Sequence, residues 1–195
     1  MSLLQYLPYL VFLGAAVQLF GITSYIKDTL KGKTKPNKIT WLLWATAPLI
    51  ATAAAISDGV GLAVLPVFIS GFGPLLVFLS SFANKEAYWK LEKFDYVCGA
   101  FSILALLLWW ITKNPTIAIL FSILSDFFAA IPTLTKAWKH PETENPDAFT
   151  YGLFNSLTSF AAINVWNFSS LAFPVYLTIA NIALSYAVLR KKIHK

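Results

Sequence analysis

Charge is scarce in this sequence. Lys, Arg, Asp and Glu together make up 12% of its 195 residues, about half the share that a water-soluble domain carries. Cysteine is scarcer still. Cys98 stands alone, which excludes an intramolecular disulfide and a cysteine-built metal cluster. The two histidines, His140 and His194, both sit among charged residues, so no histidine-based site is legible. Phosphate-loop glycines, a nucleophile–base pair and metal-ligand spacing are all missing. Nothing therefore points to an enzyme, a metal or another cofactor. The few charges are clustered, and the stretches between them approach the roughly 20 residues that a helix needs to cross a bilayer. The class expected from these absences is a membrane protein.

What is present is apolar, at 57% of residues. Seven apolar segments can be marked, at approximately 3–26, 39–56, 61–82, 94–112, 116–137, 148–164 and 170–190. They are continuously apolar, whereas the strand of a membrane barrel alternates. The expectation is an all-α membrane protein with seven transmembrane helices. The first run has no basic region before it and is long enough to span, so it reads as a helix, not a cleavable signal.

Basic residues orient the chain. Lys27, Lys31, Lys33, Lys35 and Lys38 follow segment 1, and Lys85, Lys90 and Lys93 follow segment 3. Lys136 and Lys139 follow segment 5, and Arg190, Lys191, Lys192 and Lys195 end the chain. Only Lys113 falls on the other side. Basic loops stay in the cytoplasm, so the N-terminus is expected outside and the C-terminus inside. The net charge of +6 is accounted for by that topology and gives no reason to expect nucleic acid. The expected partners are the lipid bilayer and a small-molecule solute, and a homo-oligomer is compatible with the pattern. The expected location is a bacterial cytoplasmic membrane. The Asn167-Phe168-Ser169 triplet fits a glycosylation pattern, but short motifs of this kind recur by chance.

The two ends of the chain look alike. Segment 3 opens Leu62-Ala63-Val64-Leu65-Pro66-Val67-Phe68, and segment 7 opens Leu171-Ala172-Phe173-Pro174-Val175-Tyr176, with the prolines 108 residues apart. Pro36-Asn37-Lys38-Ile39-Thr40-Trp41 leads into segment 2, and Pro146-Asp147-Ala148-Phe149-Thr150-Tyr151 leads into segment 6 at an offset of 110. The expectation is a first three-helix repeat over 1–83, a linker with helix 4 over 84–114, and a second repeat with a basic tail over 115–195. Because three helices is an odd number, the linker helix makes the two repeats parallel, about an axis along the membrane normal.

A 3+1+3 chain with parallel repeats resembles the SWEET and PQ-loop superfamily of small-solute transporters over nearly its whole length. The family's Pro-Gln pair is matched by Pro132-Thr133, which keeps the proline, and by Ser24-Tyr25 in the first repeat, which keeps neither residue. The resemblance implies alternating-access transport of a small polar solute, sugar-like first of all, at a site between the repeats. It implies that Asn181, Trp166 and Asn155 face the cavity, with Gly73 standing where the first repeat would have its own asparagine. Nicotinamide riboside transporters share the layout and rank second. A heptahelical receptor or a structural membrane protein remains as a different class. A retinal-binding rhodopsin would need a lysine within helix 7, and residues 170–189 hold none.

Other residues stand out by their setting. Asp126 is a carboxyl near the middle of segment 5, where insertion costs about 2.5–3.5 kcal/mol. It must be protonated, paired or facing water. It reads as a proton or ligand site, or else as a structural hydrogen bond, with Gln18 as its partner at offset 108. Gln18 itself leans structural. Trp109 and Trp110 read as interfacial belt residues, and Trp41 and Trp44 as belt or packing. Pro132 and Pro48, inside helices, are the hinge candidates.

Overall fold

The computed structural model describes the backbone at 3–112 and 114–193, and side chains at 6–108, 110–112 and 114–190. Lys113, His194, Lys195 and the side chains of Trp109, Lys191 and Lys192, all invoked above, lie outside the described residues. Among the described residues there are seven α-helices and no strand. They are α1 (Leu10–Leu30), α2 (Lys38–Ser57), α3 (Leu65–Ser80), α4 (Lys93–Thr112), α5 (Pro115–Lys139), α6 (Asp147–Ala161) and α7 (Phe168–Ile193). Short 3₁₀ turns precede α1 and α3 and lie between α5 and α6.

The boundaries have local causes. Asn37 caps α2, its side-chain oxygen accepting from the amides of Ile39 and Thr40 at 3.1 and 3.3 Å. Asn114 caps α5 by accepting from Ile117 at 3.2 Å, with Pro115 in the first turn, where its missing N–H costs nothing. The Asn167 side chain accepts from the amide of Ser170 at 3.0 Å at the start of α7. Gly32 and Gly59 adopt φ of 72° and 80° just past the ends of α1 and α2, a conformation in which glycine pays no steric penalty.

Among the described residues, six stretches are long and apolar enough to cross a membrane: Tyr6–Leu30, Lys38–Ser57, Leu62–Ser80, Lys93–Thr112, Pro115–Lys139 and Phe168–Arg190. Large apolar side chains such as Phe20, Ile111 and Ile179 stand exposed on the outside of the bundle, as hydrocarbon surroundings require. The expected seventh span, segment 6, differs. Helix α6 has 15 residues, about 22 Å at 1.5 Å per residue, shorter than the roughly 30 Å hydrocarbon core. It stops at Ala161, and Ala162–Asn167 form an irregular connection to α7.

The packing follows one scheme twice. Helix α3 packs on both α1 and α2, and α7 packs on both α5 and α6. Two further interfaces join these groups, α1 on α6 and α2 on α5. Helix α4 lies to the side, mainly on α5 with a smaller contact to α2. Glycines allow the α1–α6 approach: a Cβ on Gly21 would come within 2.6 Å of the Asp147 carbonyl. At the Lys-rich end a buried polar lattice closes the bundle. Lys136 pairs with Glu144 at 2.7 Å, both side chains almost without exposure. Lys136 also donates to the Lys35 carbonyl and sits 4.8 Å from the Trp89 ring centre. The Tyr25 hydroxyl donates to the other Glu144 oxygen at 2.6 Å.

Candidate functional site

Between the two helix groups lies a cavity of about 50 Å³, measured as space open to the centre of a water molecule. Every helix except α4 lines it: Gln18 from α1, Trp41 and Trp44 from α2, Ser70 and Pro74 from α3, Asp126 from α5, Phe149 from α6, and Asn181 from α7. These positions fall near the middle of α1, α5 and α7 and in the first half of α2. At about 10–15 Å³ per water, the space takes a few waters or one compact solute.

Its walls are of two kinds. Trp41, Trp44 and Phe149 form an aromatic corner: Trp41 and Trp44 meet edge to face at 5.3 Å, and Phe149 lies 6.2 Å from Trp44 and 6.5 Å from Trp41. Such pairs contribute about 0.5–1.5 kcal/mol beyond the area they bury. Tyr25 backs this corner, its ring 4.7 Å from that of Trp41, and links it to the Glu144–Lys136 lattice. Polar groups adjoin this corner. Asp126 is only 3% exposed, and its Oδ2 accepts from the Tyr176 hydroxyl at 2.6 Å. Trp44 donates its indole N–H to the Asp126 backbone carbonyl at 3.4 Å, and Thr40 donates to that of Ala129 at 2.8 Å, so α2 is fixed to α5 at Asp126 and at the turn that follows it.

The chain matches no known protein family, no curated protein and no solved structure. Its site has to be read from its own geometry.

Three of the residues singled out by sequence come together here. Gln18, Asp126 and Asn181 line the same cavity. Gln18 and Asp126 are not hydrogen-bonded to each other, however. Gln18 accepts from Asn155 and, at 3.4 Å, from Ser70, while Asp126 is served by Tyr176. Asn181 spends its Nδ2 on the Leu177 carbonyl at 2.9 Å, and its Oδ1 rests over Gly152, where a Cβ would approach to 2.8 Å.

Two others are placed elsewhere. Asn155 is fully buried at the α1–α3–α6 junction, donating to Gln18 and to the Pro66 carbonyl at 3.0 Å. It holds a cavity residue and is not itself on the cavity wall. Trp166 is 65% exposed in the α6–α7 connection and does not line the cavity. It was expected at the end of helix 6, and the early stop of α6 leaves it outside. The prolines stay in helix: α2 runs through Pro48 and α5 through Pro132. Pro132 borders a separate groove with Trp89, Lys136 and His140 at the Lys-rich end.

Sequence reasoning undervalued the aromatic corner. The signal was present: Trp41 and Trp44 are three apart and share a helix face, and Phe149 stands 108 residues after Trp41, the offset that relates Pro66 to Pro174. Tyr176 could have been found only by knowing that α7 packs against α5.

Proposed function

We propose that the chain is an integral membrane transporter that moves a small polar solute by alternating access, with the cavity around Gln18, Asp126 and Asn181 as its binding site. The observation that carries this is the cavity's position. It lies between two three-helix groups, lined by all six of their helices and by none of the linker helix. The two groups pack alike: the third helix lies between the other two, and the first helix of each meets the second of the other. Two like bundles hinged around a shared polar site suit rocking about that site. The residue offset and the packing scheme support parallel repeats of the kind found in the SWEET and PQ-loop superfamily, with the Lys-rich end cytoplasmic. Receptor function for a carboxylate ligand is disfavoured, because no Lys or Arg lines the cavity.

Reconstitution into liposomes tests this. The protein should accelerate uptake of at least one solute from a panel of sugars, amino acids, nucleosides and small amines. Asn181→Ala and Gln18→Ala should abolish that uptake while folded yield persists, and Trp166→Ala should leave it near normal. Uptake that survives both cavity substitutions would overturn the assignment of the site. Asp126 adds a question of coupling. If it carries a proton in the cycle, Asp126→Asn keeps the Tyr176 hydrogen bond but makes uptake indifferent to an imposed proton gradient. Wild-type uptake that ignores the gradient removes the proton role.

A further inference from the structure

The cavity pairs a buried carboxyl with three aromatic rings and with no basic side chain. Lys136 is the nearest basic residue along α5, ten positions on, about 15 Å at helical rise, and it is committed to Glu144 at 2.7 Å. The Asp126 carboxyl therefore has hydroxyl and indole neighbours but no cation. A buried carboxylate without a counter-charge is costly, and a positive group placed beside it recovers much of that cost.

The remaining lining is mixed and uncharged, and it includes the Trp41 indole N–H, buried without a hydrogen-bond partner. Asn181 donates one amide proton to the Leu177 carbonyl, and Ser70 directs its hydroxyl to the Pro66 carbonyl at 2.9 Å, with a longer approach to the Gln18 Oε1 at 3.4 Å. Pro74 has no N–H, so the carbonyl of Ser70, also on the cavity wall, lacks its helical donor. Among the polar groups of this wall, the Asp126 carboxyl is the one that can carry a charge. Beside them stand the rings of Trp41, Trp44 and Phe149, all within 6.5 Å of one another. Aromatic faces attract cations through the ring quadrupole, by about 0.5–2 kcal/mol each according to desolvation.

Building on the transport site above, we propose that its solute is a compact organic cation of the alkylammonium class, its charge beside Asp126 and its alkyl groups against Trp41, Trp44 and Phe149. A neutral polyol would leave the Asp126 charge without a counter-charge.

Calorimetric titration of the folded, detergent-purified protein with choline chloride tests the charge. The neutral isostere 3,3-dimethylbutan-1-ol and sodium chloride serve as controls. Choline should bind saturably, and the isostere at least about tenfold more weakly, the factor that corresponds to 1.4 kcal/mol. Asp126→Asn, which can still accept from Tyr176, should lose at least about tenfold in choline affinity, and Trp44→Leu several-fold. Trp166→Leu should bind as wild type. Thermal melts of each variant separate lost binding from lost fold, and Asp126→Glu, which keeps the charge, should retain more affinity than Asp126→Asn.

Equal binding of choline and its isostere, or choline binding indifferent to Asp126→Asn, overturns the proposal. A hexose that binds in place of choline, and is lost in Asn181→Ala, overturns the cation while the transport site stands. Folded protein that binds neither cations nor neutral solutes overturns both.

Discussion

At the scale of single residues, two glycines show how position decides what a methyl group does. A Cβ at Gly21 would meet the backbone carbonyl of Asp147 at 2.6 Å, and backbone cannot swing aside. Gly21→Ala must push α1 away from α6, with an expected loss of about 1–3 kcal/mol, typical of overpacking. At Gly152 the obstacle is the end of the Asn181 side chain, at 2.8 Å, which can rotate. Gly152→Ala should melt close to wild type but displace Asn181 and weaken solute binding. Thermal melts and titrations on both variants check this contrast. A Gly152→Ala protein that binds normally would remove Asn181 from the site. Asp126 was legible in the sequence because a lone carboxyl in an apolar run is expensive wherever it points. The placement of Trp166 was not legible, because a tryptophan near a helix end has the same spacing whether it faces a cavity, a partner helix or the membrane interface.

At the scale of elements, the join between α5 and the loop before α6 rests on a buried charge pair. Lys136 and Glu144 are hidden from solvent and 2.7 Å apart, with Tyr25 and the Lys35 carbonyl filling their remaining bonds. Removing one partner strands the other charge, so Lys136→Met or Glu144→Leu alone should cost about 3–5 kcal/mol, whereas the double variant should recover much of it. Chemical denaturation of the four proteins gives the coupling. If the double variant loses the sum of the singles, the pair contributes nothing as a pair. The helices themselves were largely readable, since continuous apolar runs between lysines allow few other structures in a bilayer. Loop pairing was not. Lys35 donates its amide to Thr143 at 3.1 Å, a contact between residues more than a hundred positions apart that no local pattern encodes. The sequence placed both residues in lysine-bearing loops but gave no reason for them to touch.

At the scale of the whole molecule, the open question is whether α6 completes a crossing. Helix α6 falls short of the hydrocarbon thickness by several ångströms. It is also polar for a span, with Asn155, Ser156, Thr158 and Ser159 all buried. Two features let such a segment cross. It is packed against α1 and α7, so its polar groups meet protein and not lipid. The irregular stretch after it carries the chain further, and its backbone is partly satisfied by Ser170, whose hydroxyl donates to the Val165 carbonyl at 2.5 Å. Irregular backbone at membrane depth is tolerated where protein or a water-filled cavity surrounds it. A crossing is also what the positive-inside pattern predicts: with α7 spanning, Lys136 and Lys139 before α6 and Arg190 after α7 share one side if α6 traverses as well. Single cysteines at exposed positions decide it, on a Cys98→Ala background. Lys33→Cys and Glu142→Cys should react with a membrane-impermeant maleimide from the cytoplasmic side, and Asn164→Cys from the opposite side. Glu142 suits this better than Glu144, which is buried in its ion pair. Labelling of Glu142→Cys and Asn164→Cys from the same face would make α6 a re-entrant element. It would also break the parallel relation between the two helix groups on which alternating access depends.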